Sequence, residues 1–176
     1  SMADYKTPKR FYGFDYQFER LVEETCAEKW KWLSEWCNKT DTKICISSVW
    51  KHHFGKEDYE STPERWEDAL VKLGYKSGTY VGITGRRMSL RGQEIQEWLN
   101  VHSDVEDYAI LDDDSDMLPE QFAKFHHSDP WFGLTPNHLY RIERQFNKQN
   151  NYENLNINFI FHFIKNCNVF FMIIEN

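Results

Sequence analysis

Tyr108-Ala-Ile-Leu-Asp-Asp-Asp-Ser-Asp116 runs a short apolar stretch straight into a knot of acids. The apolar half reads as a buried strand. A strand that ends in clustered carboxylates presents them at the carboxyl edge of a parallel sheet, which is where open α/β folds bind ligands. Carboxylates this close repel one another, so they require a cation, hydrogen-bond donors or full solvation. Hard oxygen donors of this kind suit Mg²⁺. Taken alone, the same pattern also describes a solvated acidic turn that caps a short helix from Leu118 to about Ala123.

Working outward, strands alternate with helices. Phe18, Leu21, Val22, Cys26, Trp30, Leu33 and Cys37 recur at helical spacing, which predicts one long amphipathic helix from Phe14 to Trp36. After a polar break at Asn38 to Thr42, Lys43 to Val49 reads as a buried strand. Thr62-Pro63-Glu64 opens a helix that stops at Gly74. Tyr80 to Thr84 is strand-like, Gly85 to Ser89 a loop, and Arg91 to His102 a helix with Ile95, Trp98 and Leu99 inward. Thr135-Pro136 starts a last helix that ends near Asn147. This order predicts a parallel sheet with helices on both faces. Residues 1–148 form one α/β domain without a repeat or linker. Residues 149–176 are a separate tail, rich in Asn and then apolar. Leu155 to Phe163 alternates with period two and Val169 to Ile174 is a continuous β-prone run, so the tail reads as a hairpin or as appended sequence, and its strands offer a route to homo-oligomers.

The bulk composition narrows the function. The chain has 176 residues, 40% hydrophobic and 28% charged, as a soluble globular domain does. A net charge of −7 argues against a general nucleic-acid coat, which needs Lys and Arg. Cys26, Cys37, Cys45 and Cys167 show no C-x-x-C spacing, so neither zinc nor a redox pair is signalled. They point to a reducing, cytoplasmic setting. No uninterrupted apolar stretch is long enough to span a membrane, and the start of the chain has no secretory layout. The 16% aromatic content is read as core, Trp50 and Phe54 included. His52-His53 and His126-His127 are read as surface or core residues, and Arg86-Arg87 as a solvated loop.

Two further segments bear on the acids. Ile44 to Trp50 carries Ser47 and Ser48 at its end, and Arg91 begins a helix. Hydroxyl, cation and acids on successive segments are what a phosphate-and-metal site requires. The run "ISSVW…RGQEIQEWL…YAILDDDSDM…SDPWFGLT" resembles the haloacid dehalogenase-like (HAD-like) domain of Swiss army knife RNA repair proteins, over roughly Lys43 to Arg144. The resemblance implies a three-layer, Rossmann-like α/β fold and Mg²⁺-dependent hydrolysis of phosphomonoesters, on a phosphorylated small molecule or a nucleic-acid end. It implies phosphate-binding roles for Ser47, Ser48 and Arg91, and metal-binding roles for Asp112 and Asp113 with support from Asp116.

One departure stands out. The family begins with an apolar strand ending in D-x-D, whose first Asp attacks phosphorus and whose second acts as acid and base. Ala3 to Phe11 supplies neither, and Asp4 and Asp15 follow no β run, so the nucleophile is unassigned. The missing strand would lie centrally, between those of Ser47 and Leu111. An empty slot there would strand buried backbone groups at about 1–3 kcal/mol each. Val169 to Ile174, apolar throughout, is the candidate within the chain to fill it. Running parallel, it would bring Glu175 close to Asp112. The rival is a first strand lost by truncation, which would restore the enzyme reading, or supplied by another chain; the alternative function is a non-catalytic phosphate- or metal-binding or protein-interaction module derived from the same fold.

Overall fold

The computed structural model describes residues 14–47, 54, 63–85, 90–147 and 171–175, with residues 63, 64 and 171–175 described by their backbone alone. The long N-terminal helix is two helices, α1 (Phe14–Glu24) and α2 (Ala27–Thr40). Thr25 makes the break. Its hydroxyl bonds back to Leu21 O and also accepts from Trp30 Nε1 at 2.7 Å, while Cys26 is extended (φ −101°, ψ 112°). A β-branched residue with a local backbone partner competes with helix continuation. The two helices still present their apolar residues to one core, as the spacing predicts.

Five strands form one sheet: β1 (Lys43–Ile46), β2 (Tyr80–Ile83), β3 (Asp107–Asp112), β4 (Phe125–His127) and β5 (Phe171–Glu175), in the order β2-β1-β5-β3-β4. β1 and β2 are parallel, as are β3 and β4. β5 lies between the two pairs and is antiparallel to both neighbours. The sheet is therefore mixed, and the expected all-parallel sheet is corrected at its centre. The tail does occupy the central slot, but its direction reverses the expected placement of Glu175. That residue pairs with Asp107, and Phe171 pairs with Leu111. Glu175 thus stands at the opposite end of β3 from Asp112, about 17 Å away at strand rise. β4 went unread because two of its three residues are His. The Leu155 to Phe163 segment lies outside the described residues.

Strand alternation divides the core. Ile44, Ile46, Ala109 and Leu111 pack on one side with α1, α2, α3 (Pro63–Lys72) and α5 (Pro136–Phe146). Cys45 and Ile110 face the other side with Ile95 and Trp98 of α4 (Arg91–Val101). On the first side Phe54 meets Trp66 edge-on at 4.8 Å, and both rings are buried. Burying each such side chain contributes about 1.5–3 kcal/mol. A 3₁₀ helix, Pro119–Lys124, replaces the short helix expected from Leu118. No described helix is long and apolar enough to cross a membrane.

The central position of β5 sets a test. Every N–H of a central strand points at one neighbour or the other. Ile173→Pro should therefore break the ladder and cost at least about 3 kcal/mol in urea unfolding, while Ile173→Val costs under about 1.5 kcal/mol. An Ile173→Pro chain as stable as the parent would place β5 outside the sheet.

Candidate phosphate and metal site

The register aligns one rim of the sheet. Ile46 pairs with Phe171, and Phe171 with Leu111, so Ser47 and Asp112 each lie one residue beyond the same line. Two interstrand spacings, about 10 Å, separate them. Continuing the alternation sends both side chains toward the α4 side, since Ile46 and Leu111 face the other. Ser47 is buried, and Thr84, which follows β2, donates to its Oγ at 3.4 Å. A hydroxyl that accepts this bond keeps its own proton to donate.

Arg91 begins α4 on that side and reaches the acids. Its Nη1 lies 2.8 Å from Asp112 Oδ2, its Nη2 3.6 Å from Asp114 Oδ2 and its Nε 4.0 Å from Asp116 Oδ1. The first contact is close but lacks hydrogen-bond alignment, so it is a charge pairing. Asp112 is 1% exposed. Its Oδ1 accepts from Asp114 N at 2.9 Å and its carbonyl from Ser128 N at 2.8 Å. His127 Nε2 donates to Asp113 O at 2.8 Å, which holds the acidic turn against β4.

The structure brings Ser47, Arg91, Asp112 and Asp113 to one rim, as expected. Ser48 lies outside the described residues. Asp116 has a different position from the one expected: its Oδ2 accepts from Arg91 N at 3.0 Å, capping α4, whose own N-cap residue is Leu90 and supplies no side-chain cap. Asp114 instead joins Asp112 and Asp113, with one carboxylate oxygen from each lying within 4.8 Å of the others. Thr84, Asp114 and Gly92 were missed in the sequence. Thr84 had a signal, because it ends β2 as Ser47 ends β1. Gly92 had none. A Cβ there would come within 2.5 Å of Leu118 N and 2.9 Å of Met117 Cα, so α4 docks on the segment after Asp116 by backbone contact. Gln121 ties the two, donating to Gly92 O at 2.8 Å and accepting from Leu118 N at 3.0 Å.

The electrostatics leave room for a cation. Three carboxylates, Asp112, Asp114 and Asp116, lie within 4.0 Å of the guanidinium of Arg91, and its charge also acts on a fourth, Asp113. Burial pushes Asp112 up to about 7, against the pull of Arg91 and the Asp114 N–H, and Asp113 and Asp114 raise it further. Burial, and then the charge of Asp114, raise Asp113 as well. Oxygen donors with surplus negative charge and a 4.8 Å spread fit a hard divalent ion.

A family model described as the HAD domain in Swiss Army Knife RNA repair proteins matches residues 5–139, a span that includes every rim residue named above. No curated protein and no solved structure matches the chain.

Two outcomes follow from the geometry. Because the folded state holds the Asp112 proton more tightly than the unfolded chain does, stability without metal should fall as pH rises from about 4 to about 7, by up to roughly 4 kcal/mol. Asp112→Asn should flatten that slope in urea titrations across pH, and an unchanged slope would remove Asp112 as its source. Gly92→Ala should cost about 1–3 kcal/mol in the same assay, since backbone atoms must move to admit the methyl group.

Proposed function

The chain belongs to the family of HAD domains found in Swiss Army Knife RNA repair proteins, and from that footing we propose that its acidic rim is a Mg²⁺-assisted phosphomonoester site on a Rossmann-like, three-layer scaffold. The observation that carries the reading is the convergence of Ser47, Arg91 and Asp112 on one rim from three separate segments. Ser47, and Ser48 beside it in sequence, would donate to phosphate oxygens. Arg91 would offset phosphate charge once a cation takes over part of its pairing with Asp112. Asp112 and Asp113 would hold the ion, with Asp114 completing the set and Asp116 orienting Arg91 through the helix cap. Mg²⁺, when bound, neutralises charge on phosphoryl oxygens. A phosphorylated small molecule or a nucleic-acid end, met in the cytoplasm, is the substrate class in keeping with the family.

A specific observation favours a second reading, recognition without hydrolysis. In HAD domains the attack on phosphorus comes from a carboxylate at the central slot of the rim. β5 starts there with Phe171, and its one acid, Glu175, is at the far end. Among the described residues no carboxylate ends a strand between Ser47 and Asp112.

Both readings are tested with one preparation. Mg²⁺ with inorganic phosphate should raise the melting temperature by several degrees, and Asp112→Asn should abolish the rise. Turnover of p-nitrophenyl phosphate that depends on Mg²⁺ and Asp112 would select hydrolysis. Stabilisation without turnover would select recognition. Neither effect at any Mg²⁺ concentration would overturn the site.

A further inference from the structure

One side chain, His138, pins the chain between β4 and α5 at both ends. It is the third helical residue after the cap Thr135, and it is buried. Its Nδ1 accepts from Thr135 N at 3.0 Å and lies 3.0 Å from Thr135 Oγ1. Its Nε2 lies 3.2 Å from His127 O, at the end of β4. These two backbone contacts fix the ring protons. A backbone N–H only donates, so Nδ1 carries a lone pair. A backbone carbonyl only accepts, so Nε2 carries the hydrogen. The neutral Nε2–H tautomer therefore satisfies both partners. The imidazolium satisfies one, because its Nδ1–H would meet the Thr135 N–H head on.

His138 thus stands where a capping box ordinarily has Glu or Gln. Gln caps at every pH, whereas His caps only while neutral. Its surroundings favour the neutral ring. Burial holds the imidazole below its ordinary range, and the charges of His126 and His127 on β4 and of Arg141 on α5 act the same way, against the bond to His127 O. The positive end of the α5 dipole also disfavours a cation here. From α2, Lys29 adds another cation, donating to Phe132 O in the same segment. That segment hangs between the acidic rim and α5. At the rim end Ser128 N donates to Asp112 O at 2.8 Å. In the middle a tight turn closes, with Gly133 N donating to Asp129 O at 2.6 Å and Asp129 Oδ1 accepting from Trp131 N and Phe132 N. Leu134, just before the cap, is buried in the core.

We propose that His138 is a proton-sensitive latch: its neutral Nε2–H tautomer pins residues 128–135 between β4 and α5, and protonation at Nδ1 releases their α5 end. Release leaves Thr135 N without its acceptor and frees the first turn of α5. The direction with pH follows from linkage. The folded chain holds the His138 proton less tightly than the unfolded chain, where His titrates near about 6.5. The latch's contribution is therefore whole above about pH 6.5 and lost as pH falls toward the lowered folded-state value. The contribution of Asp112 runs the other way over this window, so a loss of protection at Thr135 is not inherited from it.

Amide hydrogen exchange of the full chain, followed by NMR from about pH 7.5 to about pH 5 and expressed as protection relative to the free-peptide rate, tests this. Protection of the Thr135 amide should fall by up to about tenfold per pH unit below about pH 6.5. His138→Gln keeps a capping-box residue without the titration, so it should keep the protection and remove the slope. Ring nitrogen shifts of His138 in the unsubstituted chain give a check that needs no variant: at about pH 7.5 Nε2 should be protonated and Nδ1 bare. A ring protonated at Nδ1 at that pH, Thr135 protection that stays flat across the window, or a slope that survives His138→Gln and so belongs to another group such as His126, would each overturn the proposal.

Discussion

The backbone hydrogen bonds along both sides of β5 hold this structure together. β2 with β1, and β3 with β4, are two parallel pairs that share no strand contact of their own. Without a strand between them, the inner edges of β1 and β3 would bury unpaired N–H and C=O groups, each at a cost of about 1–3 kcal/mol. β5 satisfies both edges in a single register. That register also aligns Ser47 with Asp112 at one rim. Fold and site therefore depend on the same ladder, and the separation of hydroxyl from acid is set by strand spacing rather than by side-chain choice.

At the rim the competing forces are easily ranked. Burial of Asp112 alone would keep it protonated. The nearby guanidinium and one backbone N–H oppose this without fully reversing it. Such an arrangement is poorly settled by the protein alone, and a divalent ion would resolve it by favouring the ionised carboxylates. The cost of holding Arg91 there is spread over α4: Asp116 caps its first N–H, and Gly92 allows the helix to sit against the backbone at Met117 and Leu118. Moving α4 outward by the width of a methyl group would draw Arg91 away from Asp112, Asp114 and Asp116 together.

Much of this was legible in the sequence, for physical reasons. Helical spacing located the N-terminal apolar face, Pro63 and Pro136 marked helix starts, and Tyr108 to Leu111 ran into acids at a strand end. The resemblance to HAD domains named the right family and placed Ser47, Arg91 and Asp112 in order. Three features were not legible. The break at Thr25 depends on its hydroxyl bonding Leu21 O and Trp30 Nε1, and the spacing of apolar residues carries no sign of either bond. The direction of β5 cannot be read from a run apolar on both faces, because parallel and antiparallel central strands look alike in composition. The roles of Asp114 and Asp116 depend on how one turn folds, and adjacent acids carry no spacing signal to separate them.

The account stands or falls on one rim binding the cation. The most direct measurement is paramagnetic broadening of backbone amide resonances by Mn²⁺ in place of Mg²⁺, since broadening reports distance from the ion. The prediction is strong loss at Asp112, Asp113 and Asp114, with weaker loss at Arg91 and Ser47 and little at Asp107, near the far end of β3. Broadening centred on Asp107, or spread evenly over the acidic surface, would contradict it.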